Sequence, residues 1–231
     1  MGGEAELALL LHIYPEGVEE LDGAYAVYAD EPPVGFDVVE SGDVPEGWED
    51  EWRSFHHGVR VGRLWVGPPW ETVVIEPGRA FGTGAHPTTR LILGLLQDVE
   101  RGSLLDVGCG SGVLSIAAAK LGFEPVTAID VDAVAVEVTD ANARANRVVV
   151  AASTVDASAE NLPPAELAVA NISLALVEAV AERLRSPRVV TAGYLASDRP
   201  RLAGFDHAGH RELEGWGADV FVAVPPDAVP L

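Results

Sequence analysis

The sequence predicts an α/β fold built on a doubly wound, mostly parallel sheet, and three observations lead to it. Leu104 to Gly112 reads Leu-Leu-Asp-Val-Gly-Cys-Gly-Ser-Gly, an apolar run that meets three glycines at alternate positions before a helix-prone stretch. This is the pattern of strand, tight turn and helix. Onward from it, strand-length apolar runs alternate with helix-length stretches, as parallel strands joined by crossover helices require. The 231 residues, 48% of them hydrophobic, suffice for one sizeable core with a small appendage.

The chain opens with apolar runs at 7–13, 24–28 and 38–39, separated by Pro15, Gly17, Asp22, Gly23 and the pair Pro32-Pro33. These predict a small α+β segment over residues 1–45, too short to be well stabilised alone. Residues 46–72 read as a Trp-rich connection. Trp48 and Trp52 stand four apart on one helical face, either as core anchors in a cluster with Phe55, Leu64, Trp65 and Trp70 or as a partner surface. His56 and His57 lack a metal-ligand spacing and read as surface residues. A strand at 72–75 opens the main domain, 73–231. A glycine-punctuated loop follows, and Pro87 then starts a helix whose Leu91, Ile92, Leu95 and Leu96 repeat with helical period.

Beyond it the pattern predicts strand 103–108, helix 111–121, strand 125–130, helix 133–146, strands 147–151 and 166–171, helix 174–185 and strand 188–193. The tail predicts a short helix near 198–203. Strands at 210–213 and 220–224 then form an antiparallel hairpin closing the sheet, and 225–231 reads as a frayed end.

Composition narrows the function. The net charge is −21, and residues 1–50 hold 14 Asp and Glu with no Lys or Arg. Such a field repels phosphate backbones and anionic lipid and attracts basic partners, so direct nucleic-acid or membrane binding is not expected. An acidic proteome would leave the same mark, since Lys120 is the only lysine beside 14 arginines. No apolar run reaches the roughly 20 residues a bilayer requires, and the start lacks the positive charge of a signal peptide, so a cytoplasmic protein is expected. The single cysteine, Cys109, excludes a disulfide or a Cys-based zinc site within one chain and reads as a small filler of the glycine turn.

The turn itself asks for a ligand. Gly108, Gly110 and Gly112 let backbone lie close to a bound group, and the next helix offers unpaired N–H groups there. Asp106 precedes the first glycine by two residues. Asp130 ends the apolar run 126–129, 24 positions after Asp106, where a carboxylate closing the second strand of a βαβ unit can accept both ribose hydroxyls of a nucleoside. The dehydrogenase pattern fails because its third glycine would fall on Val113. Asp156 could meet an adenine amino group or be a solvated loop acid. Asn171 delivers an amide to the cleft edge or caps the following helix. Thr88 and Thr89 either cap the helix at Pro87 or line the pocket, and His86 is a candidate general base.

With these stretches in hand, the chain resembles the class I S-adenosylmethionine-dependent methyltransferases of Rossmann-like fold, and within them the PrmA family of ribosomal protein methyltransferases. The resemblance rests on Trp48-Glu49-Asp50-Glu51-Trp52 with Arg63 to Val66 and Pro69-Trp70-Glu71; on Ile75-Glu76-Pro77-Gly78-Arg79-Ala80-Phe81-Gly82-Thr83-Gly84-Ala85-His86-Pro87-Thr88-Thr89; on Leu105 to Gly112; and on Val169-Ala170-Asn171-Ile172. It implies S-adenosylmethionine as cofactor, contacts to it from Thr89, Gly108, Asp130 and Asn171, and methylation of lysine and α-amino nitrogens of a large-subunit ribosomal protein. The family usually opens with a ferredoxin-like recognition domain, for which about 45 residues are too few.

The candidate site is then Asp106, Gly108, Gly110, Gly112, Asp130, Asp156, Thr89 and Asn171 around the cofactor, with Asn171 orienting the amine and Phe81 and His86 on one wall. The competing readings are a methyltransferase for another basic protein or small molecule, and an adenosine-binding module without catalysis.

Overall fold

The computed structural model describes residue 10 and residues 18–21, 24–27, 59–62, 64–67, 73–75 and 84–224. Among the described residues, five short strands precede residue 84: β1 Val18–Leu21, β2 Ala24–Val27, β3 Val59–Val61, β4 Leu64–Gly67 and β5 Val73–Val74. β1 and β2 form an antiparallel pair, and β3, β4 and β5 a separate three-stranded sheet. β3 and β4 thus fall in the stretch read as a connection. Leu64, Val66, Val73 and Ile75 are buried in the same apolar cluster as the following helix.

That helix, α1, spans Pro87–Asp98 and starts at the predicted proline. β6 Leu104–Val107, α2 Val113–Leu121, β7 Val126–Asp130, α3 Ala133–Asn146, β8 Ala151–Thr154, β9 Leu167–Asn171, α4 Leu174–Val180, β10 Arg188–Leu195, β11 Phe205–Leu213 and β12 Trp216–Ala223 complete the chain. Seven strands form one sheet in the order β11-β12-β10-β9-β6-β7-β8. β6 to β10 run parallel, while β12 lies antiparallel to both β10 and β11. The doubly wound fold and its C-terminal hairpin are therefore as predicted. β6 is central and fully buried because its run Leu104 to Val107 is covered on both faces. The chain runs from β6 through β7 to β8 on one side and then crosses back to β9 on the other side of β6, and this reversal of strand order opens a crevice at the carboxyl ends.

Four local expectations change. The strand expected at 147–151 forms at Ala151–Thr154, because Arg147 takes φ 58° and its N–H caps Ala143 and Arg144 carbonyls, so the helix exit consumes 147–150. No helix forms near 198–203, where Pro200 interrupts the chain. Helix 174–185 stops at Val180 and tightens to a 3-10 turn over Ala181–Arg183 ahead of Pro187. The hairpin strands are longer than expected. Asp206-His207-Ala208-Gly209 has no apolar alternation, because most of β11 is exposed, and its pairing with β12 runs along the backbone ladder with His207 and His210 reaching Asp219. A two-residue turn joins them, with Glu214 at φ 53° and Gly215 at φ 81°, as a tight hairpin demands.

Candidate active site

The glycine turn closes β6 as expected. Gly108, Gly110 and Gly112 take φ of 76°, 53° and 79°, a region other residues enter only under strain. A Cβ on Gly108 would lie 2.5 Å from Ile172 Cγ2, so this glycine lets the loop after β9 approach the turn. Gly112 is the N-cap of α2 and offers no side-chain acceptor. From behind, α3 braces the turn: Thr139 Oγ1 lies 3.0 Å from the Gly110 carbonyl and 3.3 Å from Cys109 Sγ. Asn142 Nδ2 donates to the Ser111 carbonyl at 2.9 Å and Asn146 Nδ2 to the Asn142 carbonyl at 2.8 Å. These three buried polar residues were missed. Their signal was a polar stripe at helical spacing in a helix whose polar residues otherwise face solvent. Cys109 is buried, and burial pushes its thiol up to about 12. It fills the turn.

Asp130 stands at the end of β7 beside the turn. Its Oδ2 accepts from Gly110 N at 3.0 Å and its Oδ1 from Asp132 N at 3.0 Å. Each oxygen keeps further acceptor capacity. Asp106 is completely buried; Oδ2 accepts from Ser115 N at 3.1 Å and Ser115 Oγ at 2.6 Å, while Oδ1 has no partner among the described residues. Desolvation pushes its carboxyl up to about 6, the Ser115 bonds working against that.

Two elements far apart in sequence meet across the crevice. Asn171, last residue of β9, donates from Nδ2 to Thr89 Oγ1 at 3.2 Å. The N-cap of α4 is Ser173, so the amide of Asn171 is not spent on capping. Gly193, also missed by sequence reasoning, sits at a bulge in β10 with φ 107°, where any Cβ would collide with the Ile172 backbone. It holds open the path along which Asn171 and Ile172 leave the sheet. Thr88 and Thr89 are buried in the first turn of α1.

His86 is the N-cap of α1, its Nδ1 accepting from Thr88 N at 3.3 Å with Thr88 Oγ1 at 2.7 Å. Burial holds its pKa below the usual imidazole value, with Glu214 acting in the opposite sense. Asp156 is exposed and its Oδ1 accepts from Ser158 N at 2.9 Å and Ser158 Oγ at 2.6 Å, bonds that hold its carboxyl below the usual range. Phe81, with Trp48, Trp52, Phe55, His56, His57 and Trp70, lies outside the described residues.

Glycine turn, ribose-type carboxylate and cleft amide at the carboxyl edge of one sheet are the parts of a nucleoside-binding crevice. A family model described as ribosomal protein L11 methyltransferase (PrmA) matches residues 30–197. The chain belongs to that family. Relatives named ribosomal protein L11 methyltransferase include one from Legionella pneumophila, 36% identical over 199 residues, which are 77% of this chain and 69% of that protein. Another, from a Shewanella species, is 37% identical over 195 residues, 71% of this chain and 64% of that protein. A crystal structure of a ribosomal protein L11 methylase from Lactobacillus delbrueckii subsp. bulgaricus superposes with a TM-score of 0.62 at 26% identity, covering 72% of this chain and 98% of the other. This PrmA-family protein is an S-adenosylmethionine-dependent methyltransferase. The residues fit that cofactor: the glycine cradle leaves room for a close-lying ligand, and Asp130 retains acceptor capacity for hydroxyls. Among the described residues no helix is long and apolar enough to cross a membrane.

Proposed function

We propose that this protein methylates lysine and α-amino nitrogens of ribosomal protein L11, as a cytoplasmic enzyme that takes a basic protein partner and binds no nucleic acid directly. The Thr89–Asn171 hydrogen bond is the observation that carries the reading, because it joins residues 82 positions apart at the mouth of the glycine crevice. When bound, S-adenosylmethionine supplies a methyl group on a positively charged sulfur, already activated for displacement by an amine.

The protein's task is then alignment, which can contribute several kcal/mol. Gly108, Gly110 and Gly112 cradle the cofactor, Asp130 accepts hydrogen bonds from the ribose hydroxyls, Asp106 supports the cradle from below through Ser115, and Thr89 borders the methionine end. Asp156 is assigned to the adenine edge through the loop it shapes. The Asn171 carbonyl oxygen orients the incoming amine. A free lysine has a pKa of about 10.4, so the amine must lose a proton first, and entry into a dry cleft favours that loss to solvent. His86 acts on the site through α1 as its cap, and residues 1–45, with their acidic charge, are assigned to substrate docking ahead of the catalytic domain 73–231.

Incubation with radiolabelled S-adenosylmethionine and a bacterial ribosomal-protein fraction should label L11, and label on a different band or on a small molecule would refute that substrate. In the same assay Asn171→Ala should lower the methylation rate more than cofactor affinity. Equal losses would restrict Asn171 to cofactor binding.

A further inference from the structure

The C-terminal hairpin closes the sheet, and it also grips the helix that carries Thr89. Trp216 opens β12, pairing with Leu195 of β10 and Leu213 of β11, and its partly buried ring packs on the cluster shared by α1 and α2. The edge of the hairpin meets α1 at three places. Trp216 meets the His86 ring edge-on, centroids 4.7 Å apart and planes at 69°. Glu214 pairs with Arg90 Nη1 at 2.9 Å, and Arg211 pairs with Asp98 at 2.9 Å. Both ion pairs are solvent-exposed and hold little by themselves. The aromatic contact falls at the start of α1.

There the geometry has a consequence for protonation. His86 caps α1 by accepting at Nδ1 from Thr88, which requires that Nδ1 carry no proton, so only the neutral imidazole can cap. Burial favours that neutral form. The charged groups facing it are Glu214 from the hairpin turn, which favours the protonated form, and Arg90 one turn along α1. Loss of the cap would loosen the first turn, where Thr89 meets Asn171.

We infer that Trp216 is a positioning residue for methyl transfer: by packing edge-on against the His86 ring it keeps the α1 cap in place, and so sets Thr89 against Asn171 at the cofactor site. The inference rests on the assignment of Thr89 to the cofactor, and the test separates the two. S-adenosylmethionine affinity is titrated across pH in wild type, Trp216→Ala, Trp216→Phe and Thr89→Ala. Trp216→Phe, which keeps an aromatic edge, should stay near wild type. Trp216→Ala should weaken binding about three- to tenfold. Its loss of affinity on acidification should also begin at a higher pH than in wild type, because a less buried imidazole takes its proton more readily.

In a His86→Asn background, where the cap remains but does not titrate, Trp216→Ala should produce no such pH shift. A loss of the same factor at every pH that persists in the His86→Asn background, or no loss at all in a folded variant, overturns the inference. Thr89→Ala with unchanged affinity overturns the site assignment, and the inference with it. If Trp216→Ala does not fold, Trp216→Leu keeps the apolar volume against α1 and is read by the same criteria.

Discussion

Asp106 shows what one buried carboxylate can couple. Its pKa is raised from 3.8 to about 6, so its contribution to stability is fully present below about pH 4 and is lost as pH rises through 6, a cost of about 3 kcal/mol at neutral pH. Asp106→Asn does not titrate. Chemical denaturation of the cofactor-free protein should show the variant gaining on wild type between pH 4 and 7 by an amount of that order. Asp130 is different in kind, because it is only partly buried and each of its oxygens accepts one backbone N–H, from Gly110 and Asp132. Asp130→Ala removes charge-assisted hydrogen bonds worth roughly 1.5 to 3 kcal/mol each. Calorimetric titration should show at least a tenfold loss of S-adenosylmethionine affinity.

At the scale of elements, the hairpin is tied to the sheet by a polar knot within apolar surroundings. Asp219 of β12 is fully buried; its Oδ1 lies 2.6 Å from His207 Nε2 and 2.9 Å from His210 Nδ1, both on β11, and Tyr194 Oη of β10 donates to Oδ2 at 2.9 Å. One carboxylate therefore joins three strands. Asp219→Ala would remove the acceptor shared by two imidazoles and leave the Tyr194 hydroxyl with Thr191 alone, at a cost of about 3 kcal/mol. Urea unfolding should show that loss. Because the hairpin also bears on α1 through Trp216 and Glu214, Asp219→Ala should weaken cofactor affinity as well, though no cofactor contact is removed.

For the whole molecule, the unbalanced charge of residues 1–50 is the feature the catalytic domain does not explain. If that segment steers a basic ribosomal protein, deletion of residues 1–40 should slow association and flatten its dependence on ionic strength, with cofactor affinity nearly intact, because exposed charges are screened beyond about 10 Å at 0.1 M salt. Association kinetics across a salt series on the full and shortened chains measure this. Equal salt slopes with a folded shortened protein would assign the charge to the composition of the proteome and substrate choice to the cleft.

The sequence by itself determined the parallel sheet, the glycine turn and the strand-end placement of Asp130 and Asn171, because periodicity, glycine at positive φ and apolar runs are local causes. The turn at 108–112 and the helix at Pro87 needed no partner to be legible. Tertiary structure alone decided what depends on residues distant in sequence: Thr89 against Asn171, Thr139 and Asn142 behind the turn, Gly193 yielding to Ile172, and Trp216 against His86. Exposed β11 carries no apolar alternation, so only its pairing with β12 makes it a strand. Arg147 ends α3 in the left-handed region without a glycine to announce it, a conformation the surrounding hydrogen bonds impose and residue type does not reveal.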